Sequence, residues 1–417
     1  MNHRIRNAGP TNRNGGFTRK LLCVPLILVT LTAPSQEPAP SGHADAIRSY
    51  LQPLLDSHTL AGAVTLVATR DRLIYLQSAG YRDLSEKAMM TTNAMFWIAS
   101  TSKPMTVTAF MMLVDEGKVR LTDPVEKYLP EFRNQMVKSP KDGNTPDGQV
   151  APDRTSSALV VADHPILVRE ILSHTSGLPF KSSAQPGAID TLSLKDSVLS
   201  FAAEPLMFQP GTSYSYSNEG IDTAARIIEV VSGMPYEQFM QQRLFDPLGM
   251  KDTTFWPDAE QITRLAETYK LDPETKELVK VRISQLTYPL NDRQHRFPIP
   301  AGGLFSTATD VSKFCQMILN GGTLNGKGYL SIASVHAMTS LQNGGMEKHD
   351  YGFGWAVSKN GFGHGGAFNN AMDIDTTTGR IFIFMVQQDG PWGTPAGELM
   401  IPSLEKLADE IVRQSTN

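Results

Sequence analysis

Ser100 and Lys103 stand three positions apart in the segment Phe-Trp-Ile-Ala-Ser-Thr-Ser-Lys, residues 96–103. A serine hydroxyl is a poor nucleophile unless a base lies within hydrogen-bond reach. Residues three apart share one face of a helix, so Lys103 can lie beside Ser100. The positive end of the helix dipole and burial both disfavour an ammonium, which leaves Lys103 a neutral base near pH 7. The pair predicts a nucleophilic serine activated by a lysine.

The Ser-x-x-Lys spacing is a weak signal when it stands alone. A second copy occurs at Ser403 and Lys406, within a charged C-terminal helix that has no other candidate residue nearby. A chance match at the start of a helix therefore stays open for Ser100 as well, unless partner residues support it.

Tyr216 and Asn218 form a second group, in the sequence Tyr-Ser-Tyr-Ser-Asn that follows a Pro-Gly turn and precedes a helical pattern. A tyrosine close to a lysine ammonium has a lowered pKa, so we predict that Tyr216 shares the acid and base duties with Lys103. Asn218 can hydrogen-bond Lys103 or a substrate amide. The alternative is a polar turn in which Ser217 or Asn218 caps the helix.

A glycine-rich segment, Gly-Phe-Gly-His-Gly-Gly-Ala at residues 361–367, is the third group. Glycines let backbone approach a ligand closely. An edge strand here can aim the N–H of Ala367 at a developing oxyanion, with the N–H of Ser100 as the second donor. His364 can bind substrate or tune the local charge. A glycine-rich turn between strands stays open as the alternative.

Other catalytic patterns are missing from the sequence. It contains no Gly-x-Ser-x-Gly elbow and no His-Glu-x-x-His, and its nine histidines show no pair spacing suited to zinc. Residues 321–327 resemble a phosphate-binding loop, but Gly328 replaces the required serine or threonine and the segment follows a helix. We therefore predict no metal and no cofactor.

Strand patterns lie at both ends of the chain and helical patterns fill the middle, and these elements must position the three groups. We predict strands at 62–68, 73–77, 352–357, 371–374 and 380–387, and helices at 44–55, about 102–116, 221–231, 307–320 and 398–413. The two β-rich ends should share one largely antiparallel sheet, because their hairpins are short. Residues 133–160 read as a long surface loop and residues 260–300 as irregular.

The N-terminus has the composition of a secretory signal peptide. Residues 1–33 hold five of the 38 basic residues and no acid, and end in an apolar run too short to span a bilayer. A disordered basic tail is the alternative. Residues 34–42 read as a linker. Without the signal the net charge is −9, which argues against nucleic acid as a partner, and Cys315 alone remains, so no internal disulfide forms. We expect a secreted or periplasmic protein without stable membrane insertion.

The ordered set Ser100-x-x-Lys103, Tyr216-x-Asn218 and His364-Gly365-Gly366 resembles the serine β-lactamase and penicillin-binding-protein superfamily, on its class C side. That side includes class C β-lactamases, D-alanyl-D-alanine carboxypeptidases and family VIII carboxylesterases. The resemblance covers roughly residues 42–415. It implies an α/β (α+β) fold: an antiparallel sheet flanked by helices, with an inserted all-helical subdomain. The domain would span 43–417, with its α/β part at about 43–117 and 300–417 and its helical part at about 118–299.

The resemblance also implies roles for the site residues. Ser100 would be acylated, Lys103 and Tyr216 would handle the proton, and Asn218 would orient. The backbone N–H groups of Ser100 and Ala367 would form the oxyanion hole, and water would hydrolyse the acyl-enzyme. The substrate would be a small ester, amide or β-lactam.

Gly365 departs from the Lys-Thr-Gly or His-Thr-Gly pattern of these relatives. The missing hydroxyl removes a donor for a substrate carboxylate, which costs about 1.5–3 kcal/mol, roughly tenfold to a hundredfold in transition-state binding. Esters need no carboxylate clamp. We therefore predict a secreted serine hydrolase that is a carboxylesterase. The alternatives are a β-lactamase or D-Ala-D-Ala carboxypeptidase, and a non-catalytic relative that binds peptidoglycan.

Overall fold

A seven-stranded antiparallel sheet joins the two ends of the chain, as predicted. In spatial order its strands are β12 (Ala356–Val357), β13 (Gly361–Gly365), β14 (Ala371–Asp375), β15 (Arg380–Met385), β1 (Gly62–Ala68), β2 (Leu73–Asp83) and β3 (Ala88–Met89). The first strand of the chain pairs with the last long one, Val64 opposite Met385. The computed structural model describes residues 41–138, 158–185, 187–346 and 349–415. The predicted signal and most of the predicted linker lie outside these ranges.

Twelve helices accompany the strands within the described ranges. They are α1 (Ser41–Asp56), α2 (Ser102–Asp115), α3 (Val168–Leu172), α4 (Leu194–Ala202), α5 (Asn218–Ser232), α6 (Tyr236–Met240), α7 (Asp246–Leu248), α8 (Ala259–Thr263), α9 (Ala308–Leu319), α10 (Ile332–Thr339), α11 (Pro395–Glu398) and α12 (Met400–Ser415). Single 3₁₀ turns occur at Ala99–Thr101, Val125–Lys127 and Pro130–Phe132, and a π turn at Gln241–Phe245.

Both faces of the sheet are buried. Successive strand side chains point to opposite faces, and β15 shows this directly: Ile381 and Ile383 join the large core, whereas Phe382 and Phe384 pack with α1 and α12. The large core on the first face also contains apolar side chains of α2, α5 and α9. Helices therefore cover the sheet on both sides, and the inserted segment shares its core with one face.

The inserted segment is mainly helical, but it also carries strands, which corrects the expectation of an all-helical subdomain. Short antiparallel pairs form between β5 (Met136–Lys138) and β6 (Leu159–Val161), and between β7 (Thr268–Leu271) and β8 (Leu278–Val281). A further strand, β16 (Gln388–Asp389), pairs in parallel with β7. Residues 260–300 are thus not irregular throughout, because the backbone groups of β7 find partners on both sides. The centre of the predicted 133–160 loop, residues 139–157, lies outside the described ranges.

The predicted strand at 352–357 forms only at Ala356 and Val357. Gly354 has a φ of +75°, and a β-carbon there would lie 2.7 Å from the side chain of Val107 in α2. The chain therefore makes a tight turn against α2 before it can begin the strand.

Two short strand pairs complete the structure: β4 (Phe96–Trp97) with β9 (Phe305–Ser306), and β10 (Thr323–Leu324) with β11 (Lys327–Gly328). The segment that resembles a phosphate loop is this second hairpin. Within the described residues, no helix has the length and apolar character that a membrane span requires.

Candidate active site

Ser100 lies in the 3₁₀ turn between β4 and α2, and its side chain is partly exposed while both neighbours are buried. Ala99 has a φ of +45°, a left-handed conformation that is strained for a residue with a β-carbon. The Ser102 hydroxyl donates to the Ala99 carbonyl at 2.6 Å and accepts the N–H of Leu304 at 3.3 Å. These bonds hold the strained turn and present Ser100 at the surface of the core.

Lys103 lies one turn further on, in α2, and its side chain is fully buried. Its Nζ contacts three oxygen atoms: Ser100 Oγ at 3.1 Å, Asn218 Oδ1 at 2.7 Å and the Ala301 carbonyl at 2.8 Å. An ammonium has three N–H donors, whereas a neutral amine has two donors and one lone pair. Since the amide oxygen and the carbonyl can only accept, the lone pair of a neutral Lys103 must face Ser100 Oγ.

Burial lowers the pKa of Lys103 to about 7, and the nearby carboxylate of Asp222 opposes that shift. The neutral amine is therefore populated near neutral pH, as predicted from the position of Lys103 at a helix start. Lys103 Nζ lies within hydrogen-bond distance of Ser100 Oγ, so the neutral amine can accept the Ser100 proton, as a general base must.

Asp222 is a site residue that sequence reasoning missed. It accepts the N–H of Ala301 at 2.9 Å, and the carbonyl of the same residue accepts from Lys103. Burial raises the pKa of Asp222 to about 7, so the carboxyl and the amine titrate together. Its signal in the sequence was the i, i+4 spacing from Asn218, which puts an acid on the same helix face as the site.

Tyr216 lies close to the catalytic pair, with its ring centroid 4.7 Å from Lys103 Nζ. The prediction of a lowered pKa is wrong: burial raises the pKa of Tyr216, and a hydrogen bond with Ser100 opposes this only in part. A phenolate would lose its hydration in this enclosed position. Tyr216 is consequently a neutral phenol that can donate a hydrogen bond, and of the two residues only Lys103 has a pKa near 7.

His174 holds the loop that carries Tyr216. Its carbonyl accepts the N–H of Ser215 and its Nδ1 accepts the N–H of Ser217 at 3.1 Å, so both neighbours of Tyr216 are fixed. The imidazole is buried, which lowers its pKa far below the ordinary value and keeps it neutral. The Ser217 hydroxyl in turn caps α5 by accepting the N–H of Gly220 at 3.2 Å. These contacts give His174 a structural role.

His364 lies in β13 with its ring against Tyr216 and Tyr351. Its Nδ1 lies 2.7 Å from the Gly365 carbonyl, which can only accept, so Nδ1 carries the proton. Nε2 is then an acceptor for the Tyr351 hydroxyl at 3.0 Å. Burial, with Lys103 nearby, lowers the pKa of His364 to about 3. The ring is a neutral acceptor, and Tyr351 is a second residue that no sequence motif indicated.

Gly366 lies where β13 meets the turn of Ser100. A β-carbon on Gly366 would come within 2.6 Å of the Ile98 carbonyl, so only glycine permits this approach. Asn370 holds the two segments together. Its side-chain amide donates to the Trp97 carbonyl at 2.9 Å, and its backbone carbonyl accepts the N–H of Gly366. Strand β12 has only two residues and pairs only with Phe362 and Gly363 of β13. β12 is therefore the edge strand of the sheet, and the end of β13 lacks a strand partner on that side, which comes close to the predicted edge strand.

The N–H groups of Ser100 and Ala367 donate no hydrogen bond to the part of the chain that the structure describes. Ser100 is the second residue of its 3₁₀ turn, and Ala367 follows the end of β13. Backbone donors without internal partners beside a nucleophile are what an oxyanion hole needs.

Replacing Gly366 by alanine should displace the end of β13 from the Ser100 turn, because the new β-carbon would meet backbone rather than a flexible side chain. We expect a lower unfolding temperature and a rate of p-nitrophenyl ester hydrolysis that is lower by at least about tenfold. Gly365→Ala is the matched control, since its β-carbon would meet only the Asn370 carbonyl, at 3.6 Å. Equal thermal stability of the two variants would contradict the close approach.

The structure thus brings together all the predicted site residues around one serine. Ser100, Lys103, Tyr216, Asn218 and the end of β13 meet where the helical segment adjoins the sheet. Among the described residues no cluster of histidine, cysteine or acidic side chains is arranged to hold a metal ion. The second Ser-x-x-Lys copy lies elsewhere, in α12.

This fold and this site define a serine hydrolase of the β-lactamase and penicillin-binding-protein superfamily. The family model described as Beta-lactamase matches residues 47–399. The chain belongs to the Beta-lactamase family.

Similar proteins cover most of the chain. Protein Rv1367c of Mycobacterium tuberculosis is 30% identical over 398 residues, which are 87% of this chain and 95% of that protein. The structure of EstCE1, a hydrolase with promiscuous acyltransferase activity, has a TM-score of 0.70 at 22% identity and covers 89% of this chain and 98% of its own. The D-amino acid amidase of Ochrobactrum anthropi SV3 has a TM-score of 0.67 at 22% identity, with 90% and 100% covered.

Proposed function

We propose that this protein is a carboxylesterase that forms an acyl-enzyme at Ser100. The observation that carries the proposal is the arrangement at Lys103 Nζ, where two acceptors occupy the N–H groups of a neutral amine and turn its lone pair to Ser100 Oγ. The names of two structural neighbours, a hydrolase with promiscuous acyltransferase activity and a D-amino acid amidase, are compatible with acyl transfer from esters or amides.

In the proposed reaction Ser100 Oγ attacks the ester carbonyl and gives its proton to Lys103. The N–H groups of Ser100 and Ala367 stabilise the oxyanion. The proton then passes to the departing alkoxide, directly or through the Tyr216 hydroxyl, so that an alcohol leaves and an acyl-serine remains. Water attacks the acyl-serine by the same proton route, which releases the carboxylic acid and restores Ser100.

Two features support an ester in preference to a β-lactam or a D-Ala-D-Ala peptide. In related enzymes, the carboxylate of those substrates lies near the motif that corresponds to residues 364–366 of this chain. Here His364 is a neutral ring whose Nε2 already accepts a hydrogen bond from Tyr351. Gly365 also lacks the threonine hydroxyl that would donate to a carboxylate. A carboxylate at this place would therefore have neither a cation nor a hydroxyl donor from these two residues.

The direct test is to compare the hydrolysis of a p-nitrophenyl ester and a chromogenic cephalosporin by the purified protein. We expect ester turnover to exceed cephalosporin turnover, and the variant Gly365→Thr to raise the cephalosporin rate relative to the ester by roughly tenfold. A β-carbon fits at Gly365, so this variant should fold. Intact-mass spectrometry during ester turnover should show one acyl group on the wild type and none on Ser100→Ala.

Faster cephalosporin than ester hydrolysis by the wild type would overturn the choice of substrate and favour the β-lactamase alternative. Absence of both the acyl adduct and turnover would favour a non-catalytic protein that binds peptidoglycan or another acyl ligand.

We further propose that residues 1–33 are a cleaved signal and that the enzyme is secreted or periplasmic. The basic, acid-free segment before an apolar run supports export. Full-length protein should appear in the exported fraction of a producing cell, with its N-terminus shortened in N-terminal sequencing. Retention of Met1 in that fraction would contradict cleavage.

A further inference from the structure

A pocket of about 320 Å³ lies beside the active site, against Tyr216, His364 and Gly365. This volume is at the lower end of the range for small-molecule sites, so it suits one substituent of a substrate. Tyr216, His364 and Gly365 belong both to the candidate active site and to the wall of this pocket. A group bound in the pocket would therefore be a substituent of the ester that Ser100 attacks. The reaction proposed above gives the pocket no role.

Three tyrosine rings surround the pocket. The centroid of the Tyr351 ring lies 5.9 Å from that of Tyr214 and 6.3 Å from that of Tyr216, and Tyr351 and Tyr214 are buried. The face of an aromatic ring carries partial negative charge and attracts cations, most strongly where water is excluded. Clustered rings of this kind form the cages that bind quaternary ammonium groups.

Among the described residues that line the pocket, one is an acid, Asp350, and two are histidines, His349 and His364. Asp350 places a carboxylate at its exposed rim, and no lysine or arginine belongs to the described residues that line it. His364 on the inner wall is neutral near pH 7, because burial lowers its pKa to about 3. An anionic substituent would meet ring faces and a carboxylate, whereas a cationic one would be attracted by both.

We propose that this pocket binds a positively charged ammonium substituent of the substrate. The preferred substrates are then esters that carry a quaternary or primary ammonium group close to the scissile bond. This inference rests on the proposed esterase function, and it narrows the substrate class from esters in general to cationic esters.

The test uses pairs of esters that differ only by nitrogen or carbon at one quaternary centre. Acetylthiocholine is paired with the 3,3-dimethylbutyl thioester of acetic acid, and both release a thiol that one reagent detects. For the acyl side, the p-nitrophenyl ester of trimethylglycine is paired with that of 3,3-dimethylbutanoic acid. We expect the cationic member of at least one pair to have a kcat/KM roughly tenfold higher than its isostere.

Variants then locate the effect. Asp350→Asn should lower the ratio of cationic to neutral kcat/KM at least twofold, and Asp350→Lys should lower it further. Glu410→Gln, which removes an exposed acid from α12, is the charge-matched control and should keep the wild-type ratio. Ratios of one or less in both pairs, or equal ratios in the wild type and Asp350→Lys, would overturn the proposal.

A binding measurement separates this proposal from the esterase function. Choline and its uncharged isostere 3,3-dimethylbutan-1-ol are titrated into the full protein by calorimetry. Tighter binding of choline that weakens in Asp350→Lys supports the pocket even if none of the four esters is hydrolysed, a result that would contradict only the esterase function. Equal binding of the two alcohols would overturn the pocket in either case.

Discussion

Replacing Ser100 with alanine is expected to abolish ester hydrolysis, with kcat lower by a factor on the order of 10⁴ or more. Within the part of the chain that the structure describes, the Ser100 hydroxyl is the only hydroxyl that forms a hydrogen bond with Lys103 Nζ, and it is partly exposed. The initial rate with a p-nitrophenyl ester, measured on variant and wild type side by side, tests this. Circular dichroism should show an unchanged fold, because the substitution removes only one oxygen atom from a partly exposed side chain.

The chain offers its own control for this variant. Ser403→Ala alters the other Ser-x-x-Lys copy, which lies in α12. We expect wild-type activity from it. Equal rates for the wild type and Ser100→Ala would contradict a Ser100 acyl-enzyme, whatever the substrate.

Replacing Lys103 with methionine is expected to lower kcat/KM by a factor on the order of 10³, within the range for loss of a general base. Methionine has a similar length and no charge, so the buried site stays filled. Asn218 Oδ1 and the Ala301 carbonyl lose their donor, and the unfolding temperature should fall to a small extent. The experiment compares esterase rates and thermal unfolding of Lys103→Met with those of the wild type.

The pH profile distinguishes loss of the base from simple damage to the fold. In the wild type, kcat/KM should rise with pH through about 7 and then level off, because only the neutral amine accepts the Ser100 proton. Asp222→Asn removes the negative charge that raises the pKa of Lys103, so the inflection should move to lower pH. Lys103→Met should show no inflection there. A wild-type rate independent of pH between 5 and 9 would contradict a lysine base.

Much of the site is local in sequence, and the sequence predicts that part well. Ser100 and Lys103 are one helical turn apart, and Ser217 caps the helix that begins at Asn218. Gly366 has no β-carbon, which permits the close approach of β13 to the Ser100 turn. The antiparallel sheet followed from strand patterns at both ends of the chain that are joined by short hairpins. Each of these features depends on neighbours along the chain or on a backbone preference of one residue type.

The tertiary structure alone decided which residues distant in sequence lie close together and how far each titratable group is buried from solvent. Asp222, Tyr351 and Asn370 entered the site because α5, the turn at Gly354 and the end of β13 converge there, and no local pattern encodes that convergence. The pKa of Tyr216 rises where the sequence suggested that it falls, since burial outweighs the hydrogen bond with Ser100. The sequence by itself predicted Ser100 as the nucleophile and Lys103 as its base, whereas folding determined how much water each group keeps, and hence which of them carries the proton.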